Sequence, residues 1–243
     1  MKKILTQVGT LNSLMMGDYY ATETVDELLK NGDIGIGTYE GLDGEAIILN
    51  GVAYDSRADG KTYVMDKNDK LPFATVTKFD NNVTEYKVSF KDIEQLKDEL
   101  EKKLPSKNFF YMIKLDGLFK VRIRSCYKQS EPYEPLYKVA CDQREYDFEE
   151  EGYVIGVYCP NYVQGMNLPG WHIHFLSKNL KHGGHILKLA GNNISYKIND
   201  IDEWNVILPH TKGFETWDLT EDLKEKTKQV EGSSKTVSYT HLT

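Results

Sequence analysis

Short apolar runs, broken every few residues by glycine, asparagine or aspartate, recur along most of this chain and leave room for few helices. Ile34-Gly-Ile-Gly-Thr38 and Gly44 to Tyr54 read as strands, with Asn50-Gly51 as a hairpin signal inside the second. Phe109 to Gly117 and Leu118 to Arg124 read as a hairpin turning at Asp116-Gly117, with Arg122 and Arg124 on one face of its second arm. From Gly152 onward the strand signals are Tyr153 to Tyr158, Trp171 to Leu176, Ile186 to Ala190, Ile194 to Ile198 and Trp204 to Leu208. Helix signals are sparse. Thr24-Val-Asp-Glu27 opens a short capped helix that Gly32 stops, and Ser89 to Leu104 places Phe90, Ile93, Leu96, Leu100 and Leu104 at helical steps before Pro105. A last helix-like stretch spans Thr220 to Val230, and the acidic run Asp147 to Glu151 reads as a solvated turn. The pattern predicts a strand-rich fold with few helices, to which the 16 tyrosines are well suited.

Several classes of function fall away. A net charge of -7, with Lys and Arg interleaved among acids, gives no basic face for a nucleic-acid backbone. The glycines form neither GxGxxG nor GxxxxGKS/T, so no phosphate cradle is expected. Cys126, Cys141 and Cys159 are widely spaced and odd in number, which fits neither a disulfide framework nor a thiolate metal site. The start, Met1 to Gly9, breaks its apolar run at Thr6 and Gln7, and nothing approaches the roughly 18 apolar residues of a membrane span, so a cytoplasmic protein is expected. The tail Ser233 to Thr243 has no periodicity and is expected to be disordered. Its Val237-Ser-Tyr-Thr-His-Leu242 resembles translated adaptor sequence, so the native chain is expected to stop or differ after about Gly232.

The chemistry is concentrated in Trp171-His-Ile-His-Phe-Leu176 and the histidine that follows it at 185. A strand's period of two puts His172 and His174 on one face, about 6.5 to 7 Å apart along the chain. The polar stretch Ser177 to Gly184 turns the chain, so His185 can open a strand beside them. Three nitrogen ligands with a position left open is the arrangement of a catalytic zinc rather than a structural one. His182, in the loop, is expected to be a bystander, and His210 and His241 have no role.

Around these histidines the chain resembles the alpha-acetolactate decarboxylase family. The blocks that carry the resemblance are Gly9-Thr-Leu-Asn-Ser-Leu-Met-Met-Gly17, Gly35-Ile-Gly-Thr-Tyr-Glu-Gly-Leu-Asp-Gly-Glu45, Asn50-Gly-Val-Ala-Tyr54, Phe110-Tyr-Met-Ile-Lys-Leu-Asp-Gly117, Val121-Arg-Ile-Arg-Ser125, Gly165-Met-Asn-Leu-Pro-Gly-Trp-His-Ile-His-Phe175 and Gly183-Gly-His-Ile-Leu187. Together they span about Leu5 to Glu231. The resemblance implies zinc held by His172, His174 and His185, with Glu45, Arg124, Thr38 and Glu231 completing the site. It also implies a homodimer of strand-rich α+β fold, with an N-terminal mixed β-sheet, about residues 1–105, and a C-terminal β-barrel-like part, about residues 106–232, meeting around the metal. The implied reaction is decarboxylation of 2-acetolactate to acetoin and carbon dioxide through a metal-stabilised enediolate, with no organic cofactor. Two other functions remain open on the residues alone: a zinc-dependent lyase or isomerase for another 2-hydroxy-3-keto acid, and a non-catalytic zinc-binding module.

Overall fold

The computed structural model describes residues 3–140 and 143–231, the last as backbone alone. Cys141 and the tail Ser233 to Thr243, expected to be disordered, lie outside the described residues. Along the chain run β1 (Ile4–Val8), α1 (Leu11–Met15), β2 (Glu23–Thr24), α2 (Val25–Asn31), β3 (Ile34–Thr38), β4 (Glu45–Leu49), β5 (Val52–Ser56), β6 (Thr62–Val64), β7 (Lys70–Leu71), β8 (Phe73–Thr77) and β9 (Tyr86–Phe90). There follow α3 (Ile93–Glu101), β10 (Phe110–Cys126), α4 (Leu136–Val139), β11 (Gln143–Cys159), β12 (Gly170–Ser177), β13 (Gly183–Ile201), β14 (Glu203–Ile207), α5 (Lys212–Thr216) and α6 (Lys224–Glu231).

A seven-stranded sheet has the order β14-β1-β8-β3-β4-β5-β6. It is mixed because β14 joins β1 in parallel while the other pairs are antiparallel. In the second sheet β10 pairs with both β11 and β13, and β12 bridges β11 to β13, so four strands close into a ring with β9 added against β13. Closure removes the unpaired edges that long strands would otherwise expose.

Strand alternation sorts the core into layers. On β10 to β13, Tyr111, Ile113, Phe119, Val121, Ile173, Phe175 and Ile186 fill the ring together with Leu96 and Leu100 of α3. The opposite faces of those strands present Met112, Ile155, Val157 and Leu176 to Ile34, Ile36, Ile47 and Leu49 of the mixed sheet. The far side of that sheet packs Ala46, Ile48 and Ala53 on Val25 and Leu28 of α2. Thr24 caps α2 as expected, its side chain accepting from the Glu27 N–H. Asn50 and Gly51, at φ 53° and 75°, make the tight turn between β4 and β5.

Four local expectations are corrected. Asp116-Gly117 does not turn the chain: β10 runs unbroken past it, paired with β11 along its length. Gly117 is needed for close packing instead, since a Cβ there would lie 2.5 Å from Ile194 Cδ1. The helix expected from Ser89 begins only at Ile93, because Phe90 is buried at the end of β9 and Asp92 caps α3 by accepting from the Gln95 N–H at 2.8 Å. The acidic run at 147–151 lies within β11 rather than in a turn, where it answers Lys120, Arg122 and Lys178. The two strands expected over 186–198 are one long strand, β13, irregular between Gly191 and Ile194.

Candidate metal centre

Parity decides which side chains reach the space between ring and sheet. On β12, Trp171, Ile173 and Phe175 point into the ring, so His172 and His174 project outward toward the mixed sheet. His174 is directly opposite His185 of β13, which in turn is opposite Arg124 of β10. On the other side, Ile34 and Ile36 face the ring and so does Thr38, while Ile47 and Leu49 fix the same orientation for Glu45. Thr38 and Glu45 are paired across β3 and β4.

The three imidazoles converge. His172 Nε2 lies 3.1 Å from His185 Nδ1 and 3.2 Å from His174 Nε2, and the three donor atoms fall within 4.8 Å of one another. His174 Nδ1 donates to the Ala46 carbonyl at 3.1 Å, which places its proton there and leaves a lone pair on Nε2. A neutral imidazole has one N–H, and the His172 nitrogen cannot satisfy two facing nitrogens at once. Converging lone pairs of this kind fit a cation. Burial, with the Arg124 charge beside it, pushes His172 down to about 3, and burial lowers His174 and His185 well below the ordinary histidine value. All three are therefore neutral, the form that binds a metal.

Glu45 Oε2 stands 3.6 Å from His174 Nε2. Arg124 is 6% exposed; its Nη1 donates to the Val230 carbonyl near the end of α6, and its Nε has no hydrogen-bond partner among the described residues. Thr38 Oγ1 donates to the Gly44 carbonyl at 2.9 Å, tying β3 to the residue before Glu45. These groups line a cavity of about 60 Å³, room for a few water molecules. The rest of its wall is mostly apolar, with Leu11, Leu14, Leu42, Phe73, Leu136 and Leu168, and Cys126 and Gln143 add a polar part. Of the sequence-predicted residues, His172, His174, His185, Arg124, Glu45 and Thr38 are brought together. Glu231 is described only as backbone, the residue after Val230, and its side chain lies outside the described residues.

The bystander expected at His182 is one: its Nδ1 lies 3.0 Å from both Glu150 carboxylate oxygens, and its ring stacks on Phe148. Arg122, two residues before Arg124, is at the surface and bonds Asp147 through two nitrogens. What spacing missed was the apolar wall and the Ala46 and Val230 carbonyls. Leu11, Leu14 and Leu168 do sit inside the blocks Gly9 to Gly17 and Gly165 to Phe175.

Fold and site thus define a strand-rich α+β protein with a largely buried three-histidine centre able to hold a metal ion. The family model for alpha-acetolactate decarboxylase matches residues 5–221. The alpha-acetolactate decarboxylase of Brevibacillus brevis is 38% identical over 236 residues, 96% of this chain and 83% of that protein. That of Methanosarcina mazei is 36% identical over 94% of this chain and 80% of its own length. The crystal structure of alpha-acetolactate decarboxylase from Bacillus subtilis strain 168 superposes with a TM-score of 0.91 at 32% identity, covering 95% of this chain and 100% of that one. The chain belongs to the alpha-acetolactate decarboxylase family, and is a carboxy-lyase. No helix among the described residues is long and apolar enough to cross a membrane.

Proposed function

We propose that this protein converts 2-acetolactate to acetoin and carbon dioxide at a zinc ion held by His172, His174 and His185. The observation that carries it is the convergence of three neutral imidazole nitrogens beside a buried guanidinium and a carboxyl, in a small cavity with a mostly apolar wall. Three nitrogen donors suit zinc, and a bound zinc would supply a Lewis acid for the negative charge that decarboxylation pushes onto the ketone oxygen, giving an enediolate. The ring and the sheet would meet there as a barrel-like part and a mixed-sheet part of one unit spanning residues 1–232.

Every other role falls to side chains. Arg124 is fixed by the Val230 carbonyl on one nitrogen, and its unpartnered Nε calls for an acceptor from the substrate. Pairing with the carboxylate alone would stabilise the ground state and lose its value as carbon dioxide leaves, so the guanidinium is assigned contact with an enediolate oxygen as well. The bond between the carboxyl carbon and the hydroxyl-bearing carbon breaks, its electrons form the enediolate, and a proton then goes to that same carbon. Glu45 is assigned as the donor of that proton, since its carboxyl faces the histidine centre; Glu231, following Val230, is the second candidate. Thr38 holds the Gly44 carbonyl and with it the start of β4. The apolar wall receives the two methyl groups and excludes water.

The test is acetoin and carbon dioxide release from racemic 2-acetolactate by purified protein, before chelation, after it, and after zinc is restored. Acetoin that disappears with the metal and returns with zinc is expected; folded, zinc-loaded protein that releases none would move the function to another 2-hydroxy-3-keto acid. A cytoplasmic homodimer is part of the same proposal, checked for its size by light scattering.

A further inference from the structure

One buried carboxyl behind the cavity is unused by the chemistry above. Asp55 is wholly buried in β5, and alternation puts it with Ala53 on the α2 side of the mixed sheet, the face opposite Glu45. Its Oδ2 accepts from Arg57 Nε at 2.5 Å, while Oδ1 has no hydrogen-bond partner among the described residues. That second oxygen abuts Gly44 so closely that a Cβ there would lie 2.0 Å from it. Burying a carboxyl with one oxygen set against backbone carries a free-energy cost.

Gly44 links an unusual loop to Glu45. Gly41, Leu42 and Gly44 have φ of 72°, 55° and 92°, and a left-handed leucine persists only where its surroundings over-determine it. The surroundings do. The Gly41 N–H donates to Tyr19 O and its carbonyl accepts from the Gln129 N–H. Asp43, in the same loop, lies between Arg57 at 3.8 Å and Lys128 at 3.3 Å. Arg57 therefore joins the carboxyl beneath Gly44 to the carboxylate one residue before it, and Lys128 ties both to the segment that leaves β10 four residues after Arg124.

We propose that Asp55, acting with Arg57, is a positioning residue that fixes the Glu40–Gly44 loop and so aims the Glu45 carboxyl at the histidine centre. This rests on the role assigned to Glu45 above. Asp55 touches no substrate; it acts through Gly44, where a mispointed start of β4 would move the proton donor and leave the histidines in place.

The experiment is steady-state kinetics on zinc-loaded Asp55→Asn, Arg57→Gln, Glu45→Gln and the Asp55→Asn/Glu45→Gln double variant, with zinc content and melting temperature alongside. Asp55→Asn is expected to lower kcat about tenfold with KM and zinc content unchanged, the size of effect seen when a supporting partner is lost. Arg57→Gln should lower kcat in the same sense by less. With Glu45 already replaced, Asp55→Asn should cost nothing more, because its effect passes through that carboxyl. Wild-type kcat in both Asp55→Asn and Arg57→Gln would overturn the proposal, as would a loss that multiplies in the double variant. Should Asp55→Asn fail to fold, Arg57→Gln alone and combined with Glu45→Gln separates the same two outcomes. A fully active Glu45→Gln would instead remove the Glu45 role, and this inference with it.

Discussion

The ring and the mixed sheet supply their halves of the site from different kinds of position. His172 and His174 lie inside β12, which pairs with β11 from Gly170 to Ser177, and His185 and Arg124 are register partners across β13 and β10. Thr38 is the last residue of β3 and Glu45 the first of β4, on either side of a loop with three left-handed residues. His174, His185 and Arg124 are paired on both sides and His172 on one, within strands that continue past them. Thr38 and Glu45 are also paired on both sides, but they are where β3 and β4 give way to the loop, so what braces that loop bears directly on their geometry. The ring is therefore suited to hold an ion in fixed geometry, and the sheet to present an acid whose aim depends on a supporting network.

That contrast can be broken by substitution. Replacing His174 by Ala should have the largest effect, a loss of activity of at least about 10³-fold together with the metal, read by elemental analysis; full metal content would deny the ring its holding role. Arg124→Met should keep the metal and lower kcat/KM by about 10²- to 10³-fold, as loss of a transition-state donor does. A variant raised only in KM would restrict Arg124 to ground-state binding. Glu45→Gln should also keep the metal and lower kcat about 10²-fold, so that the two halves separate cleanly: metal loss on the ring side, turnover loss on the sheet side. Thr38→Val removes only the bond to the Gly44 carbonyl and should cost about 1 kcal/mol of stability, with a change in kcat below about tenfold.

A further effect, read in stability rather than turnover, is expected against pH. Burial pushes Asp55 up to about 7, against the pull of Arg57 and with Asp43 and Asp69 adding to the rise. Tyr39, also buried nearby, stays neutral through this range. The folded pKa is raised above the ordinary 3.8, so the stabilising contribution of the protonated form is complete below that value and is lost as pH rises through about 7. Urea midpoints at about pH 5 and about pH 8 should show Asp55→Asn gaining on the parent at the higher pH; a difference that does not change between the two would show that Asp55 titrates normally.

Legibility in the sequence follows the same division. The histidines could be read from spacing because a period of two and one turn determine where three imidazoles fall. Arg124 was visible as a strand arginine, but nothing local distinguishes it from Arg122, which ends at the surface on Asp147. Glu45 and Thr38 are single residues at strand ends, and only the resemblance singled them out. In the fold, glycine misled where close packing and turning call for the same residue: Gly117 lies under Ile194, and Gly51 sits in a true turn. Phe90 fitted the helical period of Leu96 and Leu100 but is buried as the end of β9. The brace at Asp55 was illegible because it depends on a contact with Gly44 across the β4–β5 pair.

The most direct measurement is a titration of metal-free protein with zinc while acetoin formation from 2-acetolactate is followed. The rate should rise linearly from near zero and level off at about one zinc per chain, the stoichiometry of a single three-histidine centre. A rate already full without metal, or one that breaks at no definite stoichiometry, would contradict a reaction carried out where the ring and the sheet meet.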